Sequence, residues 1–173
     1  MALVAAADGT ARDNGALGSL LFYLAAYTFM NGAAFLVLAT FTRAGEDHTD
    51  IEDLAGLGRS RPWLAAGLSL ALLSMAGIPP TMGFIGKFYL FSAAIRSGEV
   101  SLAIIGALSA AAGVYYYLRP MVWMYMHEGH PETHASPSAV VALALCAAVL
   151  LAFGIVPGPI LALAQESLQS LLG

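Results

Sequence analysis

The chain has 173 residues, 59% of them hydrophobic and only 10% charged, with a net charge of −4. Soluble domains carry about 25% charged residues, so this chain has too few polar groups to cover a water-facing surface and reads as a single-domain integral membrane protein of a few spans. The basic patch that nucleic acid requires is missing, and a lone Cys146 excludes a disulfide framework and a cysteine-built zinc or iron–sulfur site.

The opening MALVAAADGTARDNG has no basic start, and its apolar stretch is too short for a signal peptide. It is expected to be the tail of an earlier span followed by a loop. The first complete span is predicted over 17–41, long enough to cross about 30 Å of hydrocarbon. Thr28 and Asn31 are its main polar members, and Gly32-Ala33-Ala34 offers a small face to a neighbouring helix. Residues 42–61 gather Arg43, Glu46, Asp47, Asp50, Glu52, Asp53, Arg59 and Arg61, and read as a solvated loop with a short surface helix around IEDLAGL.

The run 62–95 is too long for one simple span, since a straight helix of that length would reach roughly 50 Å. Pro62 suits a first helical turn. Gly77 is a plausible stop, and Pro79 and Pro80 cannot continue the hydrogen-bond ladder. A second helix can start near Thr81 as its N-cap. The run is therefore predicted as one span broken near 77–83, with Gly83 and Gly86 counted among the residues of the break. A third span over 100–126 is expected to be interrupted at Arg119-Pro120, and Tyr115, Tyr116, Tyr117, Trp123 and Tyr125 read as an aromatic belt. After the loop 127–138 comes a last span over 139–164, bent or ended by Pro157 and Pro159, and then an amphipathic tail, QESLQSLL. Four spans put both chain ends on one side and the loops 42–61 and 127–138 on the other. The latter side carries Arg43, Arg59, Arg61 and, at its edge, Arg119, against Arg12 and Arg96. The positive-inside rule then places both loops in the cytoplasm.

Between Trp63 and Ile95 the only charged side chain is Lys87. One reading makes GIPPTMG a loop from which Lys87 snorkels to the interface. It needs Phe84–Ile95 to cross the membrane alone, and about twelve residues give only about 18 Å of helix. The other reading keeps the broken span and leaves Lys87 roughly 13 Å deep. A charge at mid-membrane costs about 2.5–3.5 kcal/mol on insertion scales and marks a functional site by default. Carbonyls freed near Gly77 can accept from the ammonium, and desolvation disfavours its charged form. Such a lysine can take up and release a proton, as at the discontinuous helices of ion-coupled transporters. No span carries a carboxylate to pair with it. The polar lining available is hydroxyl and amide, chiefly Tyr27, Thr28, Asn31, Ser74 and Thr81. His127, His130 and His134 belong to a solvated loop rather than a metal site, because Pro131 breaks the helical spacing that chelation needs.

The stretch LLSMAGIPPTMGFIGKFYLFSAAI, with LLFYLAAYTFMNGAAFLVLA and DLAGLGRSRPWLA before it and GVYYYLRPMVWMYM and GIVPGPILALA after it, closely resembles the subunit N family of proton-pumping NADH:quinone oxidoreductase, respiratory complex I. The resemblance covers nearly the whole chain from Leu17. It implies an all-α membrane fold equivalent to the last four helices of a fourteen-helix antiporter-like subunit, and hence a truncated product, a late-start gene model or a fragment. It implies that Lys87 falls on the proton-path lysine of the family's broken twelfth helix. The implied partners are the lipid bilayer and the other membrane-arm subunits of complex I, in a bacterial inner membrane. NAD, FMN, iron–sulfur clusters and quinone would belong to the rest of the complex, and this chain would bind no cofactor or metal. Gly32-Ala33-Ala34 departs from the family's Leu-Gly-Ala. Rival readings are the matching subunit of a multi-subunit cation/proton antiporter, or a small four-helix transporter.

Overall fold

The computed structural model describes residues 11–41, 50–163 and 166. The opening ten residues, Arg43, Glu46 and Asp47 of the first loop, and most of QESLQSLL lie outside them. Among the described residues all regular structure is helical. Helix α1 spans Ala11–Leu38 and closes with a 3-10 turn, Ala39–Phe41. A 3-10 turn, Ile51–Leu54, and a single helical turn α2, Leu57–Ser60, are what the expected surface helix becomes. Then follow α3 (Pro62–Ala76), α4 (Met82–Arg96), α5 (Val100–Met126) and α6 (Pro137–Ile155).

Helix α1 is the hub and packs against α3, α4 and α6. Its sequence explains why. Phe22, Ala26, Met30, Ala33 and Val37 recur every three or four residues, so they form one stripe, and each is at most 1% exposed. Ala33 and Ala34 make the small face expected there, whereas a side chain on Gly32 would meet nothing within 4 Å. Helix α5 lies against α3 and α4 and leaves most of its apolar surface outward.

Ala16–Phe41, Val100–Met126 and Pro137–Ile155 are long and apolar enough to cross a membrane. The fourth expected span is α3 and α4 together. Each has 15 residues, or about 22 Å of helix, which is short of about 30 Å of hydrocarbon. Neither crosses alone, so the two complete one span across the break.

Three boundaries differ from expectation. Residues 11–15 are helix, not loop. Helix α5 runs through Pro120 without interruption, because inside a membrane span a proline removes one donor and neighbouring groups tolerate the loss. Helix α6 stops at Ile155 rather than reaching 164, since Pro157 disfavours helical backbone at Val156. Residues 158–163 form a separate helical stretch.

The loops 50–61 and 127–136 meet at one end of the bundle. The His134 N–H donates to the Thr40 carbonyl at 2.8 Å, and Gly129 lies against the backbone of Ala55 and Gly56 with no room for a side chain. The Arg59–Glu128 pair, 3.4 Å apart with both side chains exposed, adds little by comparison.

Helix α6 seats the break through Gly154. A Cβ there would collide with the Pro80 carbonyl oxygen and meet the Thr81 carbonyl carbon at 2.6 Å. These are backbone atoms that cannot rotate away. Gly154→Ala is therefore expected to destabilise the protein by roughly 1–3 kcal/mol, as overpacking does. The readout is the thermal unfolding midpoint in detergent, which Gly32→Ala, meeting open space inside a helix, should not lower.

Candidate functional site

The site is the end of α3, the break, and the first turns of α4. Gly77 takes a left-handed conformation at φ 82°, which glycine adopts without penalty. That turn lets the Gly77 N–H donate to the Ser74 carbonyl at 3.0 Å and the Ile78 N–H donate to the Leu73 carbonyl at 3.0 Å. This is the double closure of a Schellman motif. The carbonyl of Met75 is among the last four of α3, which have no donor within the helix, and Pro79, four residues ahead, has no N–H to supply one.

Lys87 supplies that donor. It stands on the second turn of α4, and its Nζ donates to the Met75 carbonyl oxygen at 2.7 Å. The distance is that of a charge-assisted bond. The lysine reaches it by lying across Gly77: a Cβ on Gly77 would come within 3.2 Å of Lys87 Cδ and 3.4 Å of Nζ. Gly77 thus both turns the chain and clears the path of the cation.

The two half-helices are joined by a second bond. The buried Ser74 hydroxyl oxygen accepts from the Gly83 N–H at 3.1 Å, one of the donors that a helix N-terminus leaves without an internal partner. Thr81 holds the N-cap position as expected, but its hydroxyl donates to the Ile78 carbonyl at 2.8 Å and does not cap. The capping oxygen comes from α3.

Gly83 and Gly86 are not part of the break, contrary to expectation; both lie within α4. A neighbouring helix comes close to both. Gly83 faces the Ser74 carbonyl and Met30 Sδ, the latter 2.8 Å from where a Cβ would stand, and Gly86 faces Tyr23.

Beside Lys87 lies a pocket of about 300 Å³ between α1, α4 and α5. Its hydroxyl-bearing walls are Tyr23, Ser109 and Tyr117, and Gly106 and Gly113 keep the α5 wall low. There is room for several water molecules. An ammonium held by one carbonyl and bordering such a pocket can exchange a proton through water. None of the five polar residues expected to line the site borders this pocket. The Thr28 hydroxyl donates to the Leu24 carbonyl and the Asn31 amide to the Tyr27 carbonyl, both back onto their own helix. The Tyr27 ring lies beside Tyr23, with centroids 6.1 Å apart, and is half exposed. Ser74 is buried at the end of α3 and Thr81 at the N-cap of α4, on either side of the break.

The expected aromatic belt also divides. Tyr115 and Tyr116 face outward, Tyr117 lines the lysine pocket, and the Tyr125 hydroxyl accepts from Ser69 of α3 at 3.3 Å. Tyr117 and Ser109 escaped the sequence reading, although Ser109, Gly113 and Tyr117 recur at four-residue intervals and so share one face of α5. Among the described residues no group of three or more His, Cys, Asp or Glu converges to hold a metal ion.

The model of the NADH:quinone oxidoreductase/Mrp antiporter transmembrane family matches residues 1–113. The chain belongs to this family. Curated relatives agree. NADH-quinone oxidoreductase subunit N of Trichlorobacter lovleyi is 46% identical over 170 residues, covering 96% of this chain and 34% of the relative. Subunit N of Geotalea uraniireducens is 49% identical over 154 residues, covering 87% and 33%. The chain thus spans about a third of the length of these relatives. A solved structure of respiratory complex I from Thermus thermophilus with bound aureothin superposes with a TM-score of 0.77 at 33% identity, over 84% of this chain and 34% of that one. The Mrp complex from Dietzia superposes with a TM-score of 0.74 at 19% identity, over 86% and 36%, and shows the shared fold.

Loss of the Ser74 oxygen leaves a buried N–H at the start of α4 without its acceptor. Ser74→Ala is expected to cost about 1 kcal/mol, the usual effect of removing a helix cap, read as a lower unfolding midpoint in detergent.

Proposed function

We propose that this chain forms the C-terminal, Lys87-bearing part of a proton-translocating membrane-arm subunit of NADH:quinone oxidoreductase. The whole enzyme would couple electron transfer from NADH to quinone with proton pumping, and this part would carry protons without taking part in redox chemistry. NAD, FMN, iron–sulfur clusters and quinone would be bound by other subunits. The observation that carries the reading is Lys87 itself, a lone cation in a broken span, held at 2.7 Å by the Met75 carbonyl beside a pocket lined by Tyr23, Ser109 and Tyr117. It occurs in a chain 46% identical over 170 residues to a subunit N.

In this reading Lys87 is the proton carrier. The Met75 carbonyl stabilises its charged form, while burial disfavours that form. The opposition of the two lets one side chain alternate between protonation states. Tyr23, Ser109 and Tyr117 hold the water through which the proton moves. A small self-contained transporter is less well supported, because the described spans offer Lys87 no carboxylate partner.

The test is proton pumping in membrane vesicles coupled to NADH oxidation, with Lys87→Met placed in the full-length subunit. Pumping is expected to fall to the leak level while electron transfer to artificial acceptors survives. Unchanged pumping would make the lysine a structural passenger.

We also place the loops 50–61 and 127–136 on the cytoplasmic side of a bacterial inner membrane, from the arginine asymmetry. Cys146 is the only cysteine, so in a Cys146→Ser background His130→Cys should react with a membrane-impermeant maleimide only from the cytoplasmic side. Glu99→Cys should react only from the opposite side.

A further inference from the structure

A second cavity, separate from the lysine pocket, lies between α3 and α6. It is a groove of about 750 Å³ running from Arg61 and Trp63 at the loop end to Leu70 and Ala147. From Pro62 to Leu70 is eight steps along α3, so the groove follows that helix for about 12 Å. Its lining is apolar except at the mouth, where Ser60 and Arg61 stand. Gly67 forms part of the floor against Leu143, whose side chain already fills the space of a Cβ at 2.6 Å. At the mouth Trp63 is 83% exposed, and the exposed Arg61 guanidinium makes no ion pair among the described residues.

The polarity of this groove is that of an amphiphile. An apolar slot of hydrocarbon depth ends in a cation at the height where the loops begin, flanked by a tryptophan of the kind enriched at membrane interfaces. A neighbouring protein helix would fill the slot but leave the arginine to find an acid of its own. A lipid with a negatively charged headgroup satisfies both ends at once. We propose that the α3–α6 groove binds an anionic phospholipid, with one acyl chain along Gly67 and Leu143 and the phosphate at Arg61.

The chain contains two tryptophans, Trp63 and Trp123. In the full-length subunit reconstituted in vesicles, with Trp123 and every tryptophan outside this stretch replaced by phenylalanine, Trp63 reports on the groove alone. Phospholipids with brominated acyl chains, either phosphatidylglycerol or phosphatidylcholine, quench it on contact. The anionic lipid is expected to reach half-quenching at a roughly fivefold lower mole fraction, the preference one cation gives near an anionic headgroup. Arg61→Gln should abolish the difference, and Arg61→Lys should retain most of it, which separates lost charge from lost fold. In the converse Trp63→Phe chain, Trp123 should be quenched equally by both lipids. Equal quenching of Trp63 by the two lipids, or a preference that survives Arg61→Gln, would overturn the proposal. So would absence of quenching by either lipid, which would mean that protein covers the groove.

Discussion

One hydrogen bond organises this protein: Lys87 Nζ to the Met75 carbonyl oxygen, 2.7 Å across a broken helix. A membrane interior leaves no polar backbone group without a partner, and it tolerates no bare ammonium. The end of α3 creates the first problem, because the Met75 carbonyl is among the last of that helix and Pro79 has no N–H to offer it, and Lys87 is the second. Each resolves the other. The break and the cation are therefore one device, and neither is stable at that depth alone.

The rest of the packing serves this pairing. Ser74 ties the start of α4 to the end of α3 through Gly83, so the lysine approaches from a fixed distance. Gly77 clears its path, Gly83 lets α4 close on the Ser74 carbonyl, and Gly154 lets α6 seat the turn. Helix α1 holds both halves, since its stripe from Phe22 to Val37 packs against α3, α4 and α6. Four helices thus hold a short irregular segment, and burial in protein is one of the two settings in which non-helical backbone survives at membrane depth. The groove at Arg61 is a separate matter. It lies between α3 and α6 at the loop end and shares no lining residue with the lysine pocket.

The membership of the NADH:quinone oxidoreductase/Mrp antiporter family fits this architecture without resting on it. Relatives about three times as long share the same stretch. The described residues make a coherent unit with its own buried core, and they contain the break, the lysine and the pocket.

The sequence by itself determined the class, the spans and the break. Periodicity, length and proline are local properties, and 59% hydrophobic residues leave no soluble alternative. Gly77 followed by the consecutive Pro79 and Pro80 ends a helix from local chemistry alone, unlike the lone Pro120 that α5 accommodates, so this role was legible before any fold was known. Tertiary structure decided which polar groups share a space with Lys87. Thr28 and Asn31 were as eligible as Ser109 and Tyr117 until helix rotation turned the first pair back onto their own carbonyls and the second toward the lysine. Gly83 and Gly86 looked like breakers because a sequence cannot distinguish a glycine that frees the backbone from one that admits a neighbour. That distinction belongs to the facing helix, Ser74 and Met30 for one and Tyr23 for the other, and a single chain's local pattern does not contain it.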